Sequence, residues 1–423
     1  MRRQDFSTLV IGAGPAGLAA ATSAALSTKN VGLLDDNPLP GGQIWRQGSA
    51  SSPATQAASW FERLRTSAIT IIPQARVVAP LNEQALLVET ANETLELHYE
   101  RLILTTGARE RFLPFPGWTL PGVMGAGGLQ ALVKGGLPVK GKRIVVAGSG
   151  PLLLAVASYL KSKGAIICAI AEQAPWSKLR AFGWHLPFHV KQLRQAGGFG
   201  WHLRTVPYYV DCWVTQADGV QQLEAVTFHH SRRTWTIPCD YLACGFGLVP
   251  NSELAEALGC EMVQEVVRVN EWQRSSCEQI YCAGEVTGIG GLDRALIEGR
   301  IAGFAASGQM DRARRYFAAR IRAQRFADLL AETFQLRDEL KTLAHADTLV
   351  CRCEDVPYAA VSQHKSWRSA KLQTRCGMGT CQGRICGAAT DFLFGWTQDS
   401  LRAPLVPATV ASLIASGEEE TAR

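Results

Sequence analysis

Five cysteines fall within the last 73 residues of this 423-residue chain: Cys351, Cys353, Cys376, Cys381 and Cys386. The first four have the spacing C-x-C-x22-C-x4-C, and Gly377 and Gly379 lie between the members of the second pair. Glycines there let backbone N–H groups turn towards sulfide, while Arg352, Arg375 and Arg384 can offset the charge of several thiolates. Four thiolates to two irons is the chemistry that fits. Zinc also accepts four cysteines, but its pairs usually leave two to four residues between them, so the tight C-x-C favours iron–sulfur over zinc or free thiols. Cys386 is left over and reads as a packed helix cysteine.

A second chemistry sits at the other end. Gly12-Ala13-Gly14-Pro15-Ala16-Gly17 joins a β-branched apolar run at residues 8–11 to a helix-forming run at residues 16–25. In such a turn the first glycine makes the tight bend, the second lets backbone N–H groups approach a pyrophosphate at the helix N-terminus, and the third lets helix and strand pack closely. A second apolar strand at residues 31–34 ends in Asp35 and Asp36, where a ribose-binding acid is expected. The pattern repeats at residues 143–147, followed by Gly148-Ser149-Gly150-Pro151-Leu152-Leu153 and a strand ending in Glu172. Leu153 stands where the third glycine belongs and should push helix from strand, so nicotinamide binding is expected to be weak or lost there. Any nucleotide that did bind would meet Glu172, which suits a free ribose 2′-OH and hence NAD over NADP.

The elements that must position these residues belong to a folded, multi-domain chain. Apolar residues are 47% and charged residues 19% of the whole, too little charge for disorder. The balance of 43 basic to 37 acidic side chains is scattered, without the basic, aromatic-interleaved stripe of nucleic-acid binders, so nucleic acid is not an expected partner. Arg312, Arg314, Arg315, Arg320, Arg322 and Arg325 read as a solvated helix face before a docking face. The uncharged run at residues 6–28 follows Arg2 and Arg3 like a signal peptide, yet the glycines and Pro15 break it into strand, turn and helix. A cytoplasmic protein without a transmembrane segment is expected. Twelve cysteines are too sparse for a disulfide scaffold. In Cys239/Cys244 and Cys277/Cys282, five extended steps would separate the sulfurs by about 16 Å on opposite faces. Those four, with Cys168, Cys212 and Cys260, read as small hydrophobes. No residue stands out as a catalytic base, and the scattered histidines, His185 and His189 included, read as satisfied helix residues.

Three further segments carry a family resemblance: Gly41-Gly42-Gln43, Thr105-Thr106-Gly107-Ala108-Arg109 and Ile280-Tyr281-Cys282-Ala283-Gly284-Glu285. With them the chain resembles the two-dinucleotide-binding-domain flavoproteins, the superfamily of thioredoxin and glutathione reductases. The resemblance implies FAD at the first turn, held by Gly12, Gly14, Pro15, Ala16, Gly17, Asp35, Asp36, Gly42, Gln43, Thr106, Gly107, Arg109, Gly284 and Glu285. Gly42 and Gln43 would lie by the isoalloxazine and Glu285, in place of the usual Asp, by the ribityl chain. Gly245, Gly247, Pro250 and Asn251 resemble the segment returning to the FAD domain. The cysteine runs resemble the bacterioferritin-associated-ferredoxin type of [2Fe–2S] domain, with Cys351, Cys353, Cys376 and Cys381 as ligands.

Together with the run from Ala108 to Trp118, the arrangement closely resembles the alpha-type subunits of D-hydroxyproline dehydrogenase, opine oxidases and hydrogen cyanide synthase. It implies an α/β protein with two Rossmann-like domains and a small [2Fe–2S] domain. The divisions are residues 1–118 and 273–310 for the FAD domain and 119–272 for an inserted NAD-like domain. Residues 311–345 form a helical connector, with Phe326, Leu330 and Phe334 on one buried face, and 346–423 the cluster domain. It also implies a hetero-oligomer, with a beta-type flavoprotein similar to D-amino-acid oxidases and a small ferredoxin-like gamma subunit. A self-sufficient NADH-dependent reductase and a non-catalytic scaffold subunit are the alternatives.

Overall fold

The computed structural model describes residues 1–46, 55–231, 233–398 and 401–417. Residues 399, 400 and 418–423 of the expected cluster domain lie outside them. The fold divides into two compact units, one formed by Met1–Arg109, Val249–Ala327 and Ser400–Arg423, the other by Glu110–Leu248 and Asp328–Asp399.

In the first unit the strand Arg2–Ile11 lies between Val31–Leu34 and Thr94–Leu104, parallel to both. Ile69–Ile72 extends the sheet beyond Val31–Leu34, and Ile280–Cys282 pairs in parallel with Thr94–Leu104 at Cys282↔Leu104. Ala85–Thr90 and Ala75–Asn82 continue it antiparallel. The central strands are buried apolar runs, as parallel strands covered on both faces require. Helix Pro15–Ala24 is Ala-rich and buried throughout from Ala16. It packs on Gly291–Ala306 so closely that a Cβ at Gly299 would stand 2.2 Å from the Ala16 carbonyl oxygen, and one at Gly303 2.2 Å from that of Ala20. Any side chain at either glycine would wedge the two helices apart. Leu405 N–H donates to Val78 O at 2.7 Å, which joins the chain's last segment to this unit.

The second unit holds a parallel sheet in the order Tyr208–Val210, Ile166–Glu172, Arg143–Gly148, Tyr241–Gly245, Val123–Gly125. An antiparallel sheet of Cys212–Asp218, Ala225–His230 and Arg233–Pro238 accompanies it. Leu153, expected to push helix from strand, is fully buried in helix Leu152–Ser162. The strand beside it supplies the room, since a Cβ at Gly245 would meet Leu153 Cδ2 at 2.8 Å. A missing side chain on one strand thus offsets the extra one on the helix.

The connector helix Phe317–Thr333 stops just before Phe334, and Phe326, Leu330 and Phe334 are half-buried rather than a fully covered face. The cysteine segment follows as a short hairpin, Leu349–Cys351 with Val356–Pro357, and helices Tyr358–Val361, Trp367–Thr374 and Cys386–Phe394. Trp118 Nε1 donates to Leu349 O at 2.6 Å, tying that hairpin to the body of its own unit. Among the described residues no helix is long and apolar enough to cross a membrane.

Candidate functional site

The first glycine turn has the geometry its sequence calls for. Gly12 has φ +100°, and a Cβ there would lie 2.3 Å from the Thr105 carbonyl oxygen; one at Gly17 would lie 1.8 Å from the Gly12 oxygen. A Cβ at Gly14 would meet nothing within 4 Å, so the surface where a pyrophosphate would pass is open. Gly14 caps the helix without a side-chain bond and Pro15 follows, which leaves first-turn N–H groups for an anion. Asp35, almost fully buried, accepts Ala13 N–H at 2.5 Å and Asn37 N–H at 2.8 Å. Burial and the neighbouring Asp35 charge raise the Asp36 carboxyl above its ordinary value. Arg46 donates to Asn37 Oδ1 at 3.0 Å, and its buried Nε has no partner among the described residues. A donor left over beside Asp35 and Asp36 would suit a nucleotide's oxygens. Gly41 N–H donates to Ala13 O at 2.8 Å, and Gly42, at φ +57°, lies against Gly14; Gln43 is exposed.

Thr105, which the turn motif does not single out, holds this turn from below: its hydroxyl donates to Ile11 O and Gly12 O, both at 2.8 Å. Thr106 Oγ1 and Arg109 instead face the returning segment. Thr106 donates to Asn251 O at 2.5 Å, and Arg109 donates to Asn251 Oδ1 at 2.9 Å and pairs with Glu253 at 2.7 Å. Gly107 at φ +71° has open space around it. Glu285 accepts the N–H groups of Gly290 and Gly291, and burial raises its carboxyl. The loop from Gly284 to Gly291 rests on a pair absent from the sequence-derived site. Buried Arg294 and Glu298 meet at 2.8 Å; Glu298 accepts Gly284 N–H, and Arg294 donates to Gly288 O and Thr287 O. Their i,i+4 spacing was the one local signal available.

Three of the cysteines converge, and Cys386 is among them. The Sγ atoms of Cys351, Cys376 and Cys386 lie within 4.8 Å of one another, all buried; Cys386 is the packed helix cysteine that its sequence position suggests, and its sulfur also joins the group. Thiol bonds from Cys376 and Cys386 hold Cys351 far below the ordinary thiol range, and a bond from Cys386 lowers Cys381. Cys353 is exposed; desolvation and its contact with Cys381 raise it. Backbone N–H groups of Gly377 and Glu354 point at the Cys351 sulfur, and those of Ile385 and Gly383 at Cys381. Gly377 and Gly383, both at positive φ, lie against Trp367, and a Cβ at Gly379 would collide with Cys353 Cβ at 2.3 Å. Cys376 and Cys386 are raised in turn, chiefly by their bonds to Cys351, so the group divides into lowered and raised thiols; close sulfurs with amide donors at Cys351 and Cys381 are what an iron–sulfur cluster needs. Arg375 is paired with Glu354 at 2.7 Å. Elsewhere, Cys239 and Cys244 are core residues, whereas Cys260, read as isolated, is hydrogen-bonded to Cys282 and Cys277.

Residues 6–310 match the pyridine nucleotide-disulphide oxidoreductase family model. The chain belongs to that family. Within this flavoprotein oxidoreductase family it is similar to the hydrogen cyanide synthase subunit HcnB of Pseudomonas aeruginosa, 32% identical over 94% of this chain and 93% of the relative. It is 29% identical to an opine oxidase subunit of Rhizobium meliloti over 97% of this chain and 88% of the relative. Among solved structures, L-proline dehydrogenase from P. horikoshii superposes with a TM-score of 0.72 at 18% identity, covering 97% of this chain and 80% of that one. The last likeness is one of fold, and it spans the cysteine region as well as the two Rossmann-like domains.

Proposed function

We propose that this chain is the electron-transfer subunit of a multi-subunit dehydrogenase acting on the C–N bond of an amino or imino acid, with FAD at the first glycine turn and a [2Fe–2S] cluster at the cysteine group. One observation carries the reading: a single chain combines an open, acid-flanked glycine turn with three buried thiols, Cys351, Cys376 and Cys386, whose sulfurs lie within 4.8 Å of one another beside backbone N–H donors. A bound flavin exchanges electrons in pairs and a cluster singly. The protein's part is to hold each. Gly12, Gly14 and Gly17 admit the pyrophosphate, Asp35 takes the ribose, and Glu285 keeps the loop at Gly290 in shape. Cys351, Cys353, Cys376 and Cys381 supply thiolates, with Cys386 at their centre as a fifth candidate. Substrate oxidation belongs to a separate beta-type flavoprotein, with a small ferredoxin-like gamma subunit beside it, and D-hydroxyproline is the substrate to try first. The similarity to hydrogen cyanide synthase and opine oxidase subunits supports membership of a complex and keeps their reactions as the second reading.

Anaerobically purified protein should be yellow-brown and carry about two irons and two acid-labile sulfides per chain. Mixed with its partner and D-hydroxyproline, both chromophores should bleach. Zinc without sulfide would overturn the cluster, absence of flavin would overturn the first site, and bleaching only with an opine would move the substrate.

A further inference from the structure

The family's second nucleotide site does not fit a nucleotide here. Its turn is capped by an acid as the first is, one residue further along: buried Glu172 accepts Gly150 N–H at 2.7 Å and Ala174 N–H at 2.8 Å. What covers it is the end of this chain's own connector, residues 334–337, which lie in the same compact unit. Gly150 is the glycine whose bare surface a pyrophosphate would cross. A Cβ there would meet Phe334 Cγ at 3.9 Å, where the equivalent position at Gly14 meets nothing. Ser149, whose hydroxyl could have faced a phosphate, donates to Phe334 O at 2.8 Å.

The next residues are gripped from the ribose side. Fully buried Gln173, directly after the acid, donates to Gln335 O at 3.2 Å and to Ser149 Oγ at 2.9 Å, and accepts Arg337 N–H at 3.1 Å. Arg337 donates to Gln173 O at 3.3 Å and pairs with Asp211 at 2.6 Å, its guanidinium 4.2 Å above the Trp213 ring. Phe182 packs edge-on against Phe334 at 5.6 Å.

We propose that residues 334–337 form an intramolecular strap seated where the nucleotide's diphosphate and ribose would lie, so that the inserted domain anchors the connector to the cysteine segment instead of binding NAD(P)H. Leu153 is not the cause of the loss, because Gly245 absorbs it; the strap is. This inference goes beyond the flavin and cluster reading and does not need it, since its test reads nucleotide binding alone.

The test is calorimetric titration of the full-length protein with ADP-ribose and with NADH. The native protein should show no saturable heat up to about millimolar ligand, and Phe334→Gly/Arg337→Ala should gain at least about tenfold in ADP-ribose affinity. Micromolar binding by the native protein would overturn the strap. So would a folded double variant, by circular dichroism, that still binds nothing. Should the variant fail to fold, hydrogen exchange on the native chain decides. The Arg337 amide should be protected and unchanged by NADH; free exchange, or a response to NADH, would refute the strap.

Discussion

The two glycine turns of this protein share a plan and differ in detail and in what lies over them: Gly14 has φ −72° and Gly150 φ +100°. Each follows a buried parallel strand, and each has an acid at the end of the next strand that accepts two backbone N–H groups, Asp35 from Ala13 and Asn37, Glu172 from Gly150 and Ala174. At the first, a Cβ at Gly14 would meet nothing within 4 Å; at the second, one at Gly150 would touch Phe334 at 3.9 Å, and Ser149 bonds the connector. The turn motif therefore builds a cradle, and what lies over the cradle decides whether a ligand can use it. Glu172, sealed from solvent, has its carboxyl pushed up to about 7 by burial.

Substitution at the third position of each turn should separate the copies most sharply. Gly17→Ala drives a Cβ into the Gly12 carbonyl at 1.8 Å and should cut bound flavin at least about tenfold, read as the absorbance ratio of purified protein. Undiminished yellow colour would show that the first turn tolerates what its packing forbids. The reverse change, Leu153→Gly, should not create a nucleotide site. It should leave a cavity beside Gly245 and cost about 3–5 kcal/mol in denaturant unfolding of the second unit, with ADP-ribose binding still absent. An unchanged midpoint would mean Leu153 is not packed as described.

The acids give the next effect. Because the folded Glu172 carboxyl titrates near 7 and an ordinary one near 4.5, the folded state holds a proton that the unfolded chain has lost between those pH values. Stability of the second unit should therefore fall as pH rises through that window, by up to about 3 kcal/mol. Glu172→Gln should be weaker at every pH, having lost one acceptor, yet should flatten the slope; an unaltered pH profile would mean the carboxylate is ionised in place. Smallest of all, Arg337→Lys keeps the charge but loses the guanidinium fork to Gln173 and Asp211, and should cost about 1 kcal/mol in the second unit with flavin content untouched. A loss of flavin in that variant would blur the distinction between the two turns.

Much of the first site was legible because its signals are local: a turn, the strand before it, the helix after it and an acid about twenty residues on follow one another along the chain. The cysteine spacing was legible for the same reason, and two of the four named thiols, Cys351 and Cys376, lie within 4.8 Å of each other with Cys386, while Cys353 and Cys381 lie outside that group. The approach of Cys386 to Cys351 was not legible, because the two are 35 residues apart in sequence though their sulfurs lie within 4.8 Å in space. Arg294 and Glu298 were missed because a buried ion pair and a solvated one share the same spacing.

Residue order along the chain was enough to establish two dinucleotide-type folds and a terminal thiol group, since bends, strand ends and helix starts depend on neighbours a few residues apart. Whether those features stay open or become covered depended on contacts no local pattern encodes. Gly245 makes room for Leu153, Gly299 and Gly303 bring a helix against Ala16 and Ala20, and Phe334 reaches back across more than 180 positions to close the turn at Gly150. Such contacts form only when the whole chain packs, because burial is a property of the space around a residue rather than of its place in the order.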